Sequence, residues 1–551
     1  MKIASTTRSG TSGGAVPGPD VSIVLADSAA VDPVARHAAR EIEAHFLLTA
    51  GAAAGRAGAV ARIRLAIDPD AVGNPAPESF RIAAARDGLL SIVGADGPGL
   101  LWGVRDVQHY YAAAWIEGIA AGRPLEMDVV SSPTIQNRGL WTWQHGCYDP
   151  FAYVDRASEW KLNTVIFWNR GAPMDADRLA AYARERGVRI WWGFSWGWLA
   201  DDFRDASPDL ARRLLDLYEK QKREINPNLK NLDLTAPETP GALRDYVLDV
   251  FEKQYAWIPD LDGIYFQSAT EEINPSLSEK TDELGRALAR NIIPIMEEIH
   301  RRHPRLVISC GIHNSGTYET YEPLRDIPPY ANILWEAGIH WASSRDIARR
   351  QMALRGLHED FAGVYRITMH CNMMFRNLEV QGESPRAWLP RVERLWAYLE
   401  EGRCEPPGAP KWPSQADGKV VGYPCPIDWR PPDGGRLVDN PNLRELLVWS
   451  GDMASGPARV KGIFLLVEAG LIDLKMRRVP AIAAETIWNP LADERELERR
   501  CRMIWERRVG GWREPANPFW RMPGRTQDDP QGGAAQSENK DLGSMYEPPQ
   551  P

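Results

Sequence analysis

The sequence predicts an α/β fold: a (β/α)8 barrel of the TIM type preceded by a small α/β accessory unit. Three observations predict it. From residue 132 onward, short apolar runs alternate with amphipathic helical patterns, which is the signature of βα units. Carboxylates, histidines and tryptophans gather just after those runs, where such a barrel carries its chemistry. No GxGxxG follows a first strand, so an open dinucleotide-binding sheet is not supported. At 551 residues the chain is also too long for one ordinary core.

Residues 1–20 are rich in Gly, Ser, Thr and Pro and read as a flexible N-terminus without an apolar signal core. The accessory unit is expected over 21–130. Its strands are 21–25 (VSIVL) and 61–67 (ARIRLAI), with an amphipathic helix at 32–48 between them. A hairpin, 80–84 and 89–93, turns on Arg86-Asp87-Gly88, and a helix starts at Leu100.

The barrel is expected over 131–513. Strands 1 to 4 are placed at 137–143 (NRGLWTW), 164–168 (TVIFW), 188–194 (VRIWWGF) and 263–267 (GIYFQ). Strands 5 to 8 follow at 306–310, 332–335, 363–369 and 479–487. Helices separate them at 153–161, 175–186, 207–225, 241–255, 281–303, 344–357 and 385–401. The Pro/Gly-rich stretch 405–442 is too long for a plain connector and reads as a loop closing over a pocket, with Trp412, Tyr423 and Trp429. Beyond it, 443–453 and 458–469 look helical, 494–508 forms a closing helix, and 514–551 is a polar, Pro-rich tail.

The strand ends supply the candidate site. Strand 1 is followed by Trp143 and His145; strand 2 ends on Trp168, Asn169 and Arg170; strand 3 leads to Trp196 and Trp198. Strand 4 gives Gln267, then Glu271 and Glu272. Strand 5 gives His313 and Asn314; strand 6, Trp335, Glu336 and His340; strand 7, His370 and Asn372; strand 8, Glu485, Trp488 and Asn489. Tryptophan is the compositional outlier, 22 against 12 Phe and 16 Tyr. Flat indole faces stack on sugar rings, while Asn, His, Arg and Gln suit hydroxyls or a carboxylate.

Glycosidic cleavage needs an acid to protonate the leaving oxygen and a second carboxylate to activate water or attack the anomeric carbon. Adjacent Glu271 and Glu272 favour a raised pKa in one of them, so either is the candidate acid. Glu336 is the candidate partner, against the structural alternative of an ion pair with Arg366 or Arg376. The reading is an exo-acting glycoside hydrolase. Two alternatives stay open. His145, His313, His340 and His370 could converge on a metal in a metal-dependent barrel hydrolase, although no HxH or HExxH is present. A non-catalytic carbohydrate-binding barrel would keep the tryptophans and tolerate loss of the glutamates.

Certain motifs resemble known families. Glu78-Ser79-Phe80, Leu90–Gly94, Asp96 and Gly99–Val104 resemble the accessory domain that precedes the barrel of α-glucuronidases and β-N-acetylhexosaminidases. Pro133–Gly139 (PTIQNRG) and the closing run IWNPLADERELERRCRMIWERRVGG are similar to the barrel-opening and barrel-closing segments of that group. The resemblance implies a uronic-acid or amino-sugar substrate. Glu271-Glu272 stands where hexosaminidases carry an Asp-Glu pair, and the chain lacks room for the long C-terminal helical domain of α-glucuronidases.

Partners and setting follow from composition. A net charge of −9 argues against nucleic acid, and no apolar run is long enough for a bilayer. Six scattered cysteines form no CxxC and no disulfide framework, consistent with a cytoplasmic protein. No metal or cofactor motif is present; the expected partner is a glycoside or oligosaccharide substrate, and a homo-oligomer stays open.

Overall fold

The computed structural model describes residues 2–3, 20–49, 60–73, 76–142, 150–168, 172, 175–195, 200–268, 281–312, 331–337, 361–366, 431–432, 434–455, 462–467 and 478–506. Among the described residues fourteen strands, labelled in chain order, form two sheets. The first contains β1 (Lys2–Ile3), β2 (Asp20–Leu25), β3 (Val60–Ile67), β4 (Phe80–Ala84), β5 (Leu89–Gly94) and β6 (Met127–Ser131). Their spatial order is β1-β2-β3-β5-β4-β6, with a parallel centre at β2-β3-β5 and antiparallel flanks. Alternation along β4 sends Phe80, Ile82 and Ala84 into the core beneath the helices Pro33–Thr49 and Gly97–Asp106. Asp96 caps the second helix by accepting from the Gly99 amide at 2.7 Å.

The second sheet is all-parallel and curled. It contains β7 (Asn137–Thr142), β8 (Thr164–Trp168), β9 (Arg189–Ser195), β10 (Gly263–Ser268), β11 (Val307–Ile312), β12 (Ala331–Ala337), β13 (Phe361–Arg366) and β14 (Gly462–Val467). Each strand pairs with its sequence neighbours, and β14 pairs back to β7, so the ladder closes on itself. Described helices connect β7 through β11 and flank β14: Pro150–Glu159, Ala176–Glu185, Pro208–Glu224, Thr239–Gln254, Thr281–Arg302, Pro441–Ser455, Arg478–Trp488 and Glu494–Glu506. Leu140, Val165, Phe167, Ile190, Trp192, Ile264, Phe266, Ile308, Ile463 and Leu465 face those helices in one apolar core. The helices expected at 344–357 and 385–401 lie outside the described residues, as does the tail 514–551. No described helix is long and apolar enough to cross a membrane.

The opposite face of the curled sheet holds large aromatics. Trp141 meets Tyr265 edge-on with centroids 5.1 Å apart, and Trp191 lies 5.2 Å from Phe464. Glycines make room for them. A Cβ on Gly139 would fall 2.5 Å from the Phe464 ring and 2.8 Å from the Thr164 carbonyl, and one on Gly263 would strike the Trp191 indole.

The last strand corrects the sequence reading. The segment expected as strand 8 is the helix Arg478–Trp488, and the eighth strand is Gly462–Val467, inside a segment expected as helix. Ala481 to Ala484 and Ile487 are all buried, so that helix is enclosed and carries no amphipathic period to mark it. GIFLLV, a glycine followed by an unbroken apolar run, has strand length and composition.

Moving that helix moves its side chains. Trp488, expected as a sugar platform, is buried in the core of the first sheet. Its Nε1 donates to Ser131 Oγ, and the Arg138 and Lys161 cations sit 4.6 Å from its ring. Glu485, read with it as a rim residue, accepts from Lys161 Nζ at 2.8 Å and Arg500 Nη1 at 2.9 Å. Asn489, the third of that group, accepts from Thr134 Oγ1. Asp106, from the helix of the first sheet, accepts from the same two cations. All these contacts lie at the amino-terminal ends of β7 and β8, opposite the end where chemistry was expected. Beside them Glu78 accepts from Trp102 Nε1, Asn163 Nδ2 and the fully buried Arg138.

Two consequences are measurable. Gly139→Ala costs about 3 kcal/mol in urea unfolding, and Phe464→Leu restores only part, because the Thr164 carbonyl cannot withdraw. Burial alone would raise the Glu485 carboxyl, but Lys161 and Arg500 hold it down, from its ordinary 4.5 to about 2. A carboxyl depressed by folding contributes fully above pH 4.5 and less as pH falls toward 2. Unfolding free energy therefore drops through that window. Glu485→Gln, which leaves two cations sharing Asp106, costs about 3–5 kcal/mol at neutral pH and flattens the acid limb.

Candidate active site

Strand register decides which residues look into the curled sheet. Partners across a parallel ladder share a face, and successive residues alternate. The aromatic layer fixes the inward face at Trp141, Trp191, Tyr265 and Phe464. From Phe464 the register runs to Val364 and then to Glu336. From Trp191 it runs to Ile166, and two residues further on lies Trp168. Gln267 stands two beyond Tyr265, level with Ser195 and Gly311. Glu336, Gln267 and Trp168 thus occupy inward positions at the carboxyl ends of three strands, beyond the aromatic floor.

Trp335 takes the other register. It pairs Gly363, which pairs Ile463, a residue of the helix-facing core. The sequence had placed it on the pocket wall beside Glu336. Consecutive residues of one strand cannot share a face.

Trp143, His145, Asn169, Arg170, Trp196, Trp198, Glu271, Glu272, His313, Asn314, His340, His370 and Asn372 lie outside the described residues, as does most of the 405–442 loop. In the chain, Glu271 and Glu272 are the third and fourth residues after the end of β10 at Ser268. Among the described residues, no group of three or more His, Cys, Asp or Glu is set to hold a metal ion. Two further inward residues are Ser195, which ends β9 beside Gln267, and Arg366, which ends β13 two residues past the partner of Glu336. The sequence had placed Ser195 after strand 3, and Arg366 only as a possible ion-pair partner of Glu336. The period-2 pattern of the strands carried both, once a single inward residue was known.

The arrangement is an aromatic layer of Trp141, Trp191, Tyr265 and Phe464, with polar residues at inward register positions on its carboxyl-end side.

No family model matches the sequence, and no curated protein matches it. Solved structures do. The chain is similar to a GH138 enzyme targeting pectin rhamnogalacturonan II, at 11% identity and a TM-score of 0.49, over 87% of this chain and 65% of that one. It is similar to the GH20 exo-β-N-acetylglucosaminidase of Vibrio harveyi in complex with N-acetylglucosamine, at 12% identity and 0.46, over 89% and 73%. It is similar to a GH115 4-O-methyl-α-glucuronidase with specificity for decorated arabinogalactans, at 10% identity and 0.42, over 86% and 56%. The chain thus spans just under two thirds of the first of these.

Proposed function

We propose that this chain is an exo-acting glycoside hydrolase working by carboxylate acid/base catalysis on a uronic-acid or amino-sugar glycoside. In this reading the curled sheet is the (β/α)8 barrel of residues 131–513, the first sheet is an accessory unit over 21–130, and 405–442 closes over the pocket. The supporting observation is the register of Glu336: an acid in the inward row, at the carboxyl end of its strand, above an aromatic floor. In closed parallel sheets, chemistry sits at that end.

The roles divide by position. Glu271 or Glu272, just past β10, protonates the leaving oxygen. Glu336, two strands away, activates water or attacks the anomeric carbon; the first needs roughly 6.5–9.5 Å between carboxyls and the second about 5 Å. The floor stops the sugar from passing through and shields one side of the reacting centre from water. Trp143, Trp168, Trp196 and Trp198 offer stacking faces. Gln267, Asn169, Arg170, Asn314, Asn372 and the histidines His145, His313, His340 and His370 offer polar contacts.

The experiment is hydrolysis of α- and β-linked aryl glucuronides, N-acetylglucosaminides and neutral glycosides by the wild type and by Glu271→Gln, Glu272→Gln and Glu336→Gln. One sugar is turned over. Glu336→Gln and one of the other two variants lose about 10²–10⁴-fold in kcat. Wild-type silence on every glycoside, or undiminished turnover in all three variants, sinks the reading.

A further inference from the structure

The helix Pro33–Thr49 carries a histidine that neither the ion pairs around Asp106 nor the proposed chemistry uses. His37 is 4% exposed, and its Nε2 has no hydrogen-bond partner. The helix lies on Gly97–Asp106 of its own sheet and on Ala176–Glu185 of the curled one. Cations dominate what faces the imidazole. Arg105 comes from the first of those helices, Arg186 caps the second, and Arg40 belongs to the helix of His37 itself. Glu41 Oε1 lies 3.9 Å from Nε2, but Arg105 binds the other oxygen of that carboxylate at 2.7 Å.

Other charged groups on these elements are engaged elsewhere. Asp106 accepts from Lys161 and Arg500, Arg184 bonds Asp260, Glu185 bonds Arg40, and Arg186 donates to Asp155. Arg36 donates to the Ala30 and Val31 carbonyls, and Asp32 accepts from the Ala35 amide. Asp20, Asp27, Asp177 and Arg178 stand in the opening residues of β2, of the helix Asp27–Ala30 and of the helix Ala176–Glu185.

Burial first, then Arg105, Arg186 and Arg40, push the His37 imidazole from 6.5 down to about 3, against the pull of Glu41. Once undocked, a helix of 17 residues is marginal in water, and its histidine titrates normally. Between those two values the undocked form takes up a proton that the docked form refuses. The docked form therefore loses ground as pH falls below 6.5. Two neighbours act differently. Against its own burial, Arg105 and His37 hold the Glu41 carboxyl below its ordinary 4.5, so its contribution is lost only under that pH. Burial raises the Glu159 carboxyl, against Arg156 and Arg105, so it favours the docked form on acidification and opposes His37.

We propose that the helix Pro33–Thr49 is an acid-released clasp between the two sheets, with His37 as its trigger. The clasp does not depend on the glycosidase reading.

The test is backbone hydrogen exchange of the full chain, read by mass spectrometry at several pH values between 7.5 and 5 and corrected for the intrinsic exchange rate. In the wild type, protection of the Pro33–Thr49 amides falls about 30-fold across that range, while protection of β10 in the curled sheet holds. His37→Gln removes most of the fall. A flat wild-type profile overturns the inference. So does an equal fall in β10, which means global unfolding, or an undiminished fall in His37→Gln. Should that variant not fold, exchange at the imidazole C2 carbon of the wild type decides. A His37 still unprotonated at pH 5 upholds the trigger, and ordinary titration near neutrality overturns it.

Discussion

The structure hangs on a buried square of charges between its two sheets. Lys161 and Arg500 each bridge Asp106 and Glu485, and the four side chains are at most one tenth exposed. Two cations and two carboxylates cancel, and every contact is a charge-assisted hydrogen bond, the condition under which buried ions are tolerated. Asp106 comes from the first sheet's helix, Lys161 from the turn before β8, and Glu485 and Arg500 from the two closing helices. Removing any one corner strands a charge. The square therefore fixes the first sheet across the amino-terminal end of the curled one and joins the last helices to the first βα turn.

Beside the square, Glu78 spans the same junction with one carboxylate. It gathers donors from Trp102 in its own unit and from Arg138 and Asn163 on the other side. Its backbone is left-handed, at φ 66°, a conformation that a non-glycine residue holds only when its surroundings fix it. Gly99 stays a glycine because a Cβ there would meet the Ser79 carbonyl at 2.3 Å. The Glu-Ser-Phe and Gly-Leu-Leu-Trp motifs that suggested a family are thus the two halves of one interlock. Their constraint is mechanical, which is why they report architecture and say nothing of the sugar.

With the junction at one end and Trp141, Trp191, Tyr265 and Phe464 in the middle, polar inward positions lie at the carboxyl end. Trp168, Ser195, Gln267, Glu336 and Arg366 are there because strand register puts them there. The tryptophan excess suggested sugar stacking, yet among the described residues Trp102, Trp115, Trp141, Trp160, Trp191, Trp192 and Trp488 are core. Composition cannot separate a stacking face from bulk; burial can.

Sequence alone determined the two-sheet plan and seven of the eight parallel strands, because short β-branched and aromatic runs bounded by helical periods leave little choice of conformation. It also marked Gln267 and Glu336 as strand-end residues. Tertiary structure decided what local pattern cannot encode. The enclosed helix Arg478–Trp488 has no exposed face, so its period was invisible and its residues were assigned to the wrong end of the sheet. The faces of Trp335, Glu336 and Arg366 depend on a register that is fixed only when β14 pairs back to β7. Closure is a long-range property of the whole ladder, and no window of sequence contains it.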